Sequence, residues 1–361
     1  ISDWDFRTNL EYKRHLNSRW VSDVAFEIVG DTMKKLLVIG REGRHIKYAP
    51  EPDKLKEYDI VYAPVGARDE ELLIKGKDAD FILVDAIGSI SGNVIRQMAN
   101  LKLIHSEGVG YQGVDLDAAK ECGVYVCNCK GMNASAVAEQ AVLLMLGVLR
   151  DVCGGDRSVR AGRQIETKEQ YMIEGNLTEL SECTVGLIGF GDIAKATASL
   201  LRAFGAKVVY TKKSPAPPDV ETRYGVSFLP QDDLLAVSDI VSLHALVNDE
   251  TRYMVDTSFL EKMKDTAYLI NTSRGELVDS KALIAALESG SIAGAGLDTI
   301  DGEPVKSDNP LLQTSEEAGR KLLFSCHIGG ITRASFSRGY AMILEAIEKV
   351  SRGEIPDNIV G

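Results

Sequence analysis

The stretch Val185-Gly186-Leu187-Ile188-Gly189-Phe190-Gly191-Asp192-Ile193-Ala194 decides the fold. An apolar run that reads as a buried strand enters a glycine turn, and Ile193, Thr197, Leu200, Leu201 and Phe204 then recur at helical spacing. Gly205 ends that helix and Lys207 to Tyr210 starts a second strand. Gly189, Gly191 and Ala194 fill the three slots of the Gly-x-Gly-x-x-Gly/Ala dinucleotide fingerprint. Gly189 permits the tight turn, Gly191 lets backbone approach a pyrophosphate, and small Ala194 lets helix and strand pack closely. Free N–H groups and the positive dipole end at the helix start suit phosphate, so Phe190, Asp192 and Ile193 join the cofactor contacts.

An Asp or Glu about 20 residues beyond the glycines ordinarily accepts from the adenosine ribose 2′-OH. From Gly191 to Lys212 is 212 − 191 = 21 residues, and the segment reads Tyr210-Thr211-Lys212-Lys213-Ser214, without a carboxylate. A hydroxyl and two cations suit a 2′-phosphate, so Thr211, Lys212 and Lys213 favour NADP. NAD stays open, because lysines at a loop tip are ordinarily just solvated.

A chain of 361 residues is long enough for two domains with separate cores. A formal charge of −12 argues against a nucleic-acid partner, which would need a basic face. No apolar run approaches the roughly 20 residues of a membrane span, so no membrane partner is expected. Six cysteines are too few for a disulfide scaffold. Cys127 and Cys129 would share one strand face, and with no second pair at ligand spacing no metal site is expected. Reduced thiols point to a cytoplasmic location. Residues 1–32 look foreign to the fold. They begin with Ile1, are charge-rich and lack the apolar core of a signal peptide, and Asn9 to Val21 has helical character. They read as an extension of unknown role before Met33-Lys34-Lys35.

Strand candidates at 36–39, 59–63, 80–84, 101–105 and 124–127 alternate with helices near 69–76, 91–100 and 115–121, the last opened by Asp115. A long apolar helix from about Ala134 to Asp151 is followed by a loop and the fingerprint strand. Further strands are expected at 207–211, 239–243, 267–271, 293–297 and 322–326, and an amphipathic helix from Thr332 to about Ser351 closes the pattern. Short apolar strands between helical periods indicate parallel, helix-covered sheets. The expectation is an α/β protein of two doubly wound parallel-sheet domains. A Rossmann cofactor domain, 134–329, is inserted into a flavodoxin-like substrate domain, 33–133 plus 330–361, with Gly329 and Gly330 as a hinge.

Three strand ends downstream of the fingerprint carry chemistry. Arg274 lies in Asn271-Thr272-Ser273-Arg274-Gly275, Glu303 in Leu297-Asp298-Thr299-Ile300-Asp301-Gly302-Glu303-Pro304, and His327 in Ser325-Cys326-His327-Ile328-Gly329-Gly330. Singly, each has an ordinary explanation as a turn residue, a loop carboxylate or a buried histidine. Together, at the carboxyl ends of parallel strands, they can converge on one ligand. Arg274 offers a planar fork to a substrate carboxylate and polarises a carbonyl. His327 is suited to proton transfer near neutral pH, and Glu303 would orient its ring and stabilise the imidazolium. His244, directly after the strand candidate at 239–243, is placed among the cofactor contacts.

Over residues 33–361 the chain resembles the D-isomer-specific 2-hydroxyacid dehydrogenases. The resemblance is carried by His105 to Asp115, Asn133 to Glu139, the fingerprint, Asn271 to Asp279, Leu297 to Pro304 and His327 to Thr332. It implies Arg274, Glu303 and His327 as the catalytic triad. It also implies that the N–H groups of Val109 and Gly110 hold the substrate carboxylate, that Asp298 and Thr272 to Arg274 lie near the nicotinamide, and that the protein is a homodimer through its cofactor domains. The loop Val84 to Ile90 lacks the Arg and Lys with which phosphoglycerate dehydrogenases bind phosphate, and formate dehydrogenases carry Gln in the position of Glu303. Tyr210 to Lys213 looks more like the NADP-preferring glyoxylate and hydroxypyruvate reductases. Cys326, Lys130 and Gln112-Gly113 depart from common family residues. Tyr111, Ile87 and Ser89 are candidate pocket walls for a small, uncharged substituent. The expected activity is hydride transfer between a nicotinamide cofactor and a small 2-oxo or D-2-hydroxy acid. The alternative is a non-enzymatic, NAD(P)-sensing corepressor of the same fold.

Overall fold

The computed structural model describes residues 33–360; the expectation of an N-terminal extension at 1–32 lies outside them. Twelve parallel strands form two sheets among the described residues. The first sheet contains β1 (Lys34–Ile39), β2 (Tyr58–Ala63), β3 (Phe81–Val84), β4 (Leu103–Ser106) and β5 (Tyr125–Cys127), in the order β2-β1-β3-β4-β5. The second contains β6 (Thr184–Ile188), β7 (Lys207–Thr211), β8 (Val226–Phe228), β9 (Ile240–Leu243), β10 (Tyr268–Asn271), β11 (Gly294–Leu297) and β12 (Leu322–Phe324). Its order is β12-β11-β10-β9-β6-β7-β8.

The central strands are buried on both faces, as parallel strands under helices must be. In the first sheet, Leu37, Ile39, Ile82, Val84 and Ile104 pack with Val94, Ile95 and Ala118 of the connecting helices. The other face, carrying Leu36, Val38, Phe81, Leu83 and Leu103, gets only partial cover from neighbouring sequence, through Tyr48, Ala49, Cys129 and Met132, and needs more. The helix Arg333–Ser351 supplies it, burying Tyr340, Ile343, Ala346, Ile347 and Val350 there. Its spacing of apolar residues at i, i+3 and i+7 gives one stripe for that purpose, and Thr332 caps its first turn by accepting from Ser335 N–H. The return is completed at Ile359, which bridges antiparallel to Cys127, and Val360 N–H donates to Val126 O at 2.8 Å. The helix Ala134–Leu149 belongs to the second sheet, where Ala141, Leu144, Met145 and Leu149 pack with Val185, Leu187 and Ile270. The two sheets are therefore joined by this helix on one side and by the segment around Gly329 on the other.

Two expectations need correction. The expected loop between 151 and 183 holds two helices, Val152–Arg160 and Gln164–Glu174, and neither has a buried residue. Their strong polarity hid the helical period: Asp151 caps the first helix, and the Tyr171 hydroxyl returns to the Asp151 carboxylate at 2.6 Å. Strand β8 is three residues long, too short for its alternation to register.

Candidate active site

The fingerprint turn is built by backbone. Gly189 sits at φ 100°, in the left-handed region, and a Cβ there would press on the carbonyl of His244 at 2.6 Å. Gly191 differs: it precedes the helix Asp192–Ala203 at φ −89°, which any residue adopts, and a Cβ would meet nothing within 4 Å. Neither chain conformation nor packing requires glycine at that position. The open space there leaves room for a bound group to approach the backbone, and the helix N-terminus behind it suits phosphate. Ala194 is fully buried at the close helix–strand contact. Asp192 is exposed and Ile193 half-buried in the first helical turn. The Phe190 side chain points the other way, stacked on Tyr210 with ring centroids 4.3 Å apart, so its place among the cofactor contacts rests on its backbone.

Tyr210 also organises the loop that follows β7. Its hydroxyl accepts from Ala216 N–H at 2.6 Å and donates to Glu221 at 2.8 Å, pinning both ends of the segment that carries Lys212 and Lys213. Thr211 is buried and both lysines are exposed. The expectation that no carboxylate stands there holds locally but not in space. Glu250 arrives from the loop after β9 and pairs with Lys213 at 2.8 Å. Both partners are solvent-exposed, so this pair contributes little energy. Lys212 has no acidic partner among the described residues.

At the end of β10, Asn271 clamps its own turn: its Nδ2 donates to Arg274 O at 2.9 Å and its Oδ1 accepts from Ser273 N–H at 3.0 Å. Ser273 Oγ donates to Ala245 O at 2.6 Å, tying this loop to the one after β9. Thr272 is buried, yet its hydroxyl has no partner among the described residues. Such an orphan is costly unless a bound group completes it. Arg274 is exposed, with Nη1 resting on Ser273 O at 2.8 Å, and Gly275 packs its backbone directly on that of Ile300 and Asp301. His244 is turned inward, with Nε2 3.0 Å from Ser242 Oγ, and burial pushes its pKa down to about 4, so the ring is neutral.

Glu303 and His327 are in contact: Nδ1 and Oε2 are 2.6 Å apart, while the other Glu303 oxygen accepts from Ile300 N–H at 3.0 Å. With Nδ1 engaged by Glu303, Nε2 is the nitrogen left for a ligand. His327 adopts φ 54°, an unusual conformation for a residue with a side chain. Asp298 explains how it is held. The Asp298 carbonyl accepts from His327 N–H at 2.9 Å, and its carboxylate accepts from Ile328 N–H at 3.0 Å, Gly329 N–H at 2.9 Å and Ser325 Oγ at 2.5 Å. Gln140, from the long helix, donates to Ser325 Oγ at 2.9 Å. The Asp298 carboxylate thus clamps the histidine loop. Arg274 makes no hydrogen bond or ion pair with Glu303 or His327 among the described residues, although Gly275 beside it packs on Ile300 and Asp301.

On the first sheet, the loop Glu107 to Gln112 has its carbonyls tied back. Ser106 Oγ donates to Gly110 O at 2.5 Å, and Asn128 Nδ2 donates to Val109 O at 2.8 Å. The N–H groups of Val109 and Gly110 have no acceptor among the described residues, an arrangement open to an anion. Tyr111 is half-buried beside them, and Ile87 and Ser89 are exposed. Asn271, Ser325 and Gln140 escaped sequence reasoning. Asn271 and Ser325 stand inside quoted motifs, whereas the Gln140 contact spans 185 residues and leaves no local signal. The described residues hold no group of three or more His, Cys, Asp or Glu able to bind a metal, and no described helix is long and apolar enough to cross a membrane.

A family model for "D-isomer specific 2-hydroxyacid dehydrogenase, NAD binding domain" matches residues 142–329. The chain is 35% identical over 284 residues to the glyoxylate reductase of Korarchaeum cryptofilum, covering 79% of this chain and 83% of that one. It is 35% identical over 298 residues to the glyoxylate reductase of Thermofilum pendens, covering 81% and 84%. Among solved structures, the NAD-complexed D-isomer specific 2-hydroxyacid dehydrogenase of Lactobacillus delbrueckii ssp. bulgaricus is similar at a TM-score of 0.77 and 26% identity, covering 91% of this chain and 100% of that one.

Proposed function

Since the chain belongs to the D-isomer-specific 2-hydroxyacid dehydrogenase family, enzymes that move hydride between a nicotinamide cofactor and a 2-oxo or 2-hydroxy acid, we propose that it is an NADP-preferring reductase of small 2-oxo acids. The observation that carries the reading is the 2.6 Å contact between His327 and Glu303 in a loop clamped by Asp298. Arg274 is assigned to the substrate carboxylate and carbonyl, where its planar fork binds and polarises. The N–H groups of Val109 and Gly110 are assigned to the same carboxylate from the opposite sheet. His327 Nε2 delivers the proton to the carbonyl oxygen, and Glu303 at Nδ1 fixes the tautomer and balances the imidazolium. When bound, the nicotinamide supplies or takes the hydride. Gly189, Gly191 and the N–H groups of the following helix are assigned to the pyrophosphate, and Thr272 to the nicotinamide side. Lys212 is assigned to the 2′-phosphate, with Lys213 held at the same loop tip by Glu250.

The division of labour follows the sheets: a cofactor domain over 134–329 and a substrate domain over 33–133 and 330–361. A homodimer is supported by the helices Val152–Arg160 and Gln164–Glu174, which leave Val159, Ile165, Met172 and Ile173 exposed. A reducing, cytoplasmic setting is supported by six free cysteines. The test is a panel of 2-oxo acids assayed with NADPH and, separately, with NADH. Turnover with a higher kcat/KM for NADPH is expected. Higher kcat/KM with NADH defeats the lysine assignment. Negligible turnover of every acid, with cofactor-dependent binding of a partner peptide, favours the corepressor alternative.

A further inference from the structure

The order β2-β1-β3-β4-β5 reverses its direction of winding between β1 and β3. In open parallel sheets, the crevice at such a reversal, outside the carboxyl ends of the strands, is where ligands sit. In this chain the crevice is filled by charge. Arg44 follows β1, Asp85 directly follows β3, and Glu107 directly follows β4. Arg44 Nη1 donates to Asp85 Oδ2 at 2.7 Å and to Glu107 Oε2 at 2.9 Å, and the Tyr340 hydroxyl donates to Glu107 Oε1 at 2.6 Å.

An ion-pair staple would explain part of this. Glu107 is 5% exposed, its two oxygens are both occupied, and it serves to anchor Arg44. Arg44 and Asp85 are not used up in that way. A single guanidinium nitrogen makes both Arg44 contacts, and its Nη2 and Nε meet no acceptor among the described residues although the side chain is only 23% exposed. Asp85 keeps Oδ1 for one long contact, Ile87 N–H at 3.2 Å. The pair also adjoins the loop assigned to the substrate carboxylate: a Cβ on Gly110 would lie 2.9 Å from Ala86 O, next in sequence to Asp85. One edge therefore offers free N–H donors for a carboxylate and, beside them, a fixed guanidinium next to a fixed carboxylate.

We propose that Arg44 and Asp85 form a subsite for the substituent that a 2-oxo acid carries beyond its carbonyl carbon, and that this subsite takes a hydroxyl-bearing substituent in preference to an apolar or an anionic one. The inference rests on the reading of the chain as a 2-oxo acid reductase. A hydroxyl can accept from the free Arg44 N–H groups and donate to Asp85 Oδ1, satisfying both. A methyl group would displace water from both and replace none of its hydrogen bonds, the situation in which polar pockets discriminate most strongly. A second carboxylate would meet two carboxylates against one guanidinium. This is a different device from a loop of cations that captures phosphate. Arg44 was invisible to the sequence reading, because nothing local distinguishes it from Arg41 nearby.

The test compares kcat/KM for four probes of increasing substituent: glyoxylate, pyruvate, 3-hydroxypyruvate and oxaloacetate. The unaltered protein is expected to prefer 3-hydroxypyruvate over pyruvate by about tenfold or more. Arg44→Met is expected to bring that ratio close to one. Asp85→Asn is expected to lower it several-fold and to raise oxaloacetate relative to pyruvate, because one negative charge is gone. Arg44→Lys, which keeps the charge and the ion pairs but loses the planar fork, is expected to fall between, and it replaces the methionine variant if that one does not fold. An unaltered protein that uses pyruvate and 3-hydroxypyruvate equally while turning over glyoxylate overturns the subsite alone. So does a ratio unmoved in a folded Arg44 variant. Failure to turn over any of the four sinks the dehydrogenase reading and the subsite with it.

Discussion

The carboxyl edges of the two sheets are built on opposite plans. The seven-stranded edge is left incomplete by backbone and small groups: Gly191 faces open space, Thr272 keeps an unpartnered hydroxyl, and the exposed Arg274 rests on its own neighbour. The five-stranded edge is crowded with charge already paired inside the protein, around Arg44, Asp85 and Glu107. An edge of the first kind suits what the family shares, because any dinucleotide has phosphates for free N–H groups. An edge of the second kind selects, because a ligand must better the hydrogen bonds that the side chains already hold. On the proposed reading, cofactor binding and the choice of substituent are thus kept in separate sheets.

The strongest challenge to that contrast is His327→Asn, since Asn tolerates the left-handed backbone of that position. We expect kcat to fall by about 10²–10⁴, the usual contribution of a positioned acid–base group, while the cofactor Kd holds. Loss of cofactor binding in that variant would show that the two functions are not separable.

Next comes a pH effect to which each sheet contributes one buried histidine, His105 in the five-stranded and His244 in the seven-stranded. His105 in β4 is buried, with Nδ1 donating to Ser106 O at 2.8 Å, and burial pushes its pKa down to about 4. The unfolded chain protonates this ring near pH 6.5 and the folded one does not. Stability therefore falls as pH drops from 6.5 toward 4 and is flat above that window, by on the order of 3 kcal/mol for this residue. The drop in urea midpoint between about pH 7 and about pH 4.5 should be smaller in His105→Gln than in the unaltered protein, His244 supplying part of the remainder; an equal drop in both proteins would assign the acid sensitivity elsewhere.

A third variant, Gly191→Val, separates what the fold needs from what the ligand needs. Because a Cβ meets nothing in the protein, the melting temperature should stay put while cofactor Kd rises about ten- to hundredfold. A Kd that does not move would leave that glycine without an explanation. The smallest expected effect is that of Ser325→Ala, which removes one donor from the Asp298 clamp. We expect kcat to drop about tenfold with KM and cofactor Kd little changed, and Ser325→Thr to restore most of it. A matching loss in KM would mean that the loop, and not the histidine alone, had shifted.

The fold was legible wherever a strand and its following helix lie close in sequence, as from Val185 to Ala203, because period and turn chemistry are local. The Glu303–His327 pair was legible for the same reason: each stands at a strand end beside recognisable neighbours. What stayed hidden is what only the assembled sheets create. The clamp that the Asp298 carboxylate makes on Ser325, Ile328 and Gly329 spans 27 to 31 residues. Glu250 reaches Lys213 in the same manner, and Arg44 finds Asp85 and Glu107 across two strands. The helices Val152–Arg160 and Gln164–Glu174 were missed for the reverse reason. Their few apolar residues, Val152, Val159, Ile165, Met172 and Ile173, stand exposed among many polar ones and do not read as a core-facing stripe.

The helix Arg333–Ser351 bears on how the molecule is made. On a ribosome the strands of the five-stranded sheet emerge first, but one face of it stays incompletely covered until Tyr340, Ile343 and Ile347 leave the exit tunnel. The seven-stranded sheet, complete at Phe324, is whole before then. The half of the molecule begun earliest is finished last, and during that interval its exposed leucines and valines are the part of the nascent chain most in need of a chaperone's attention.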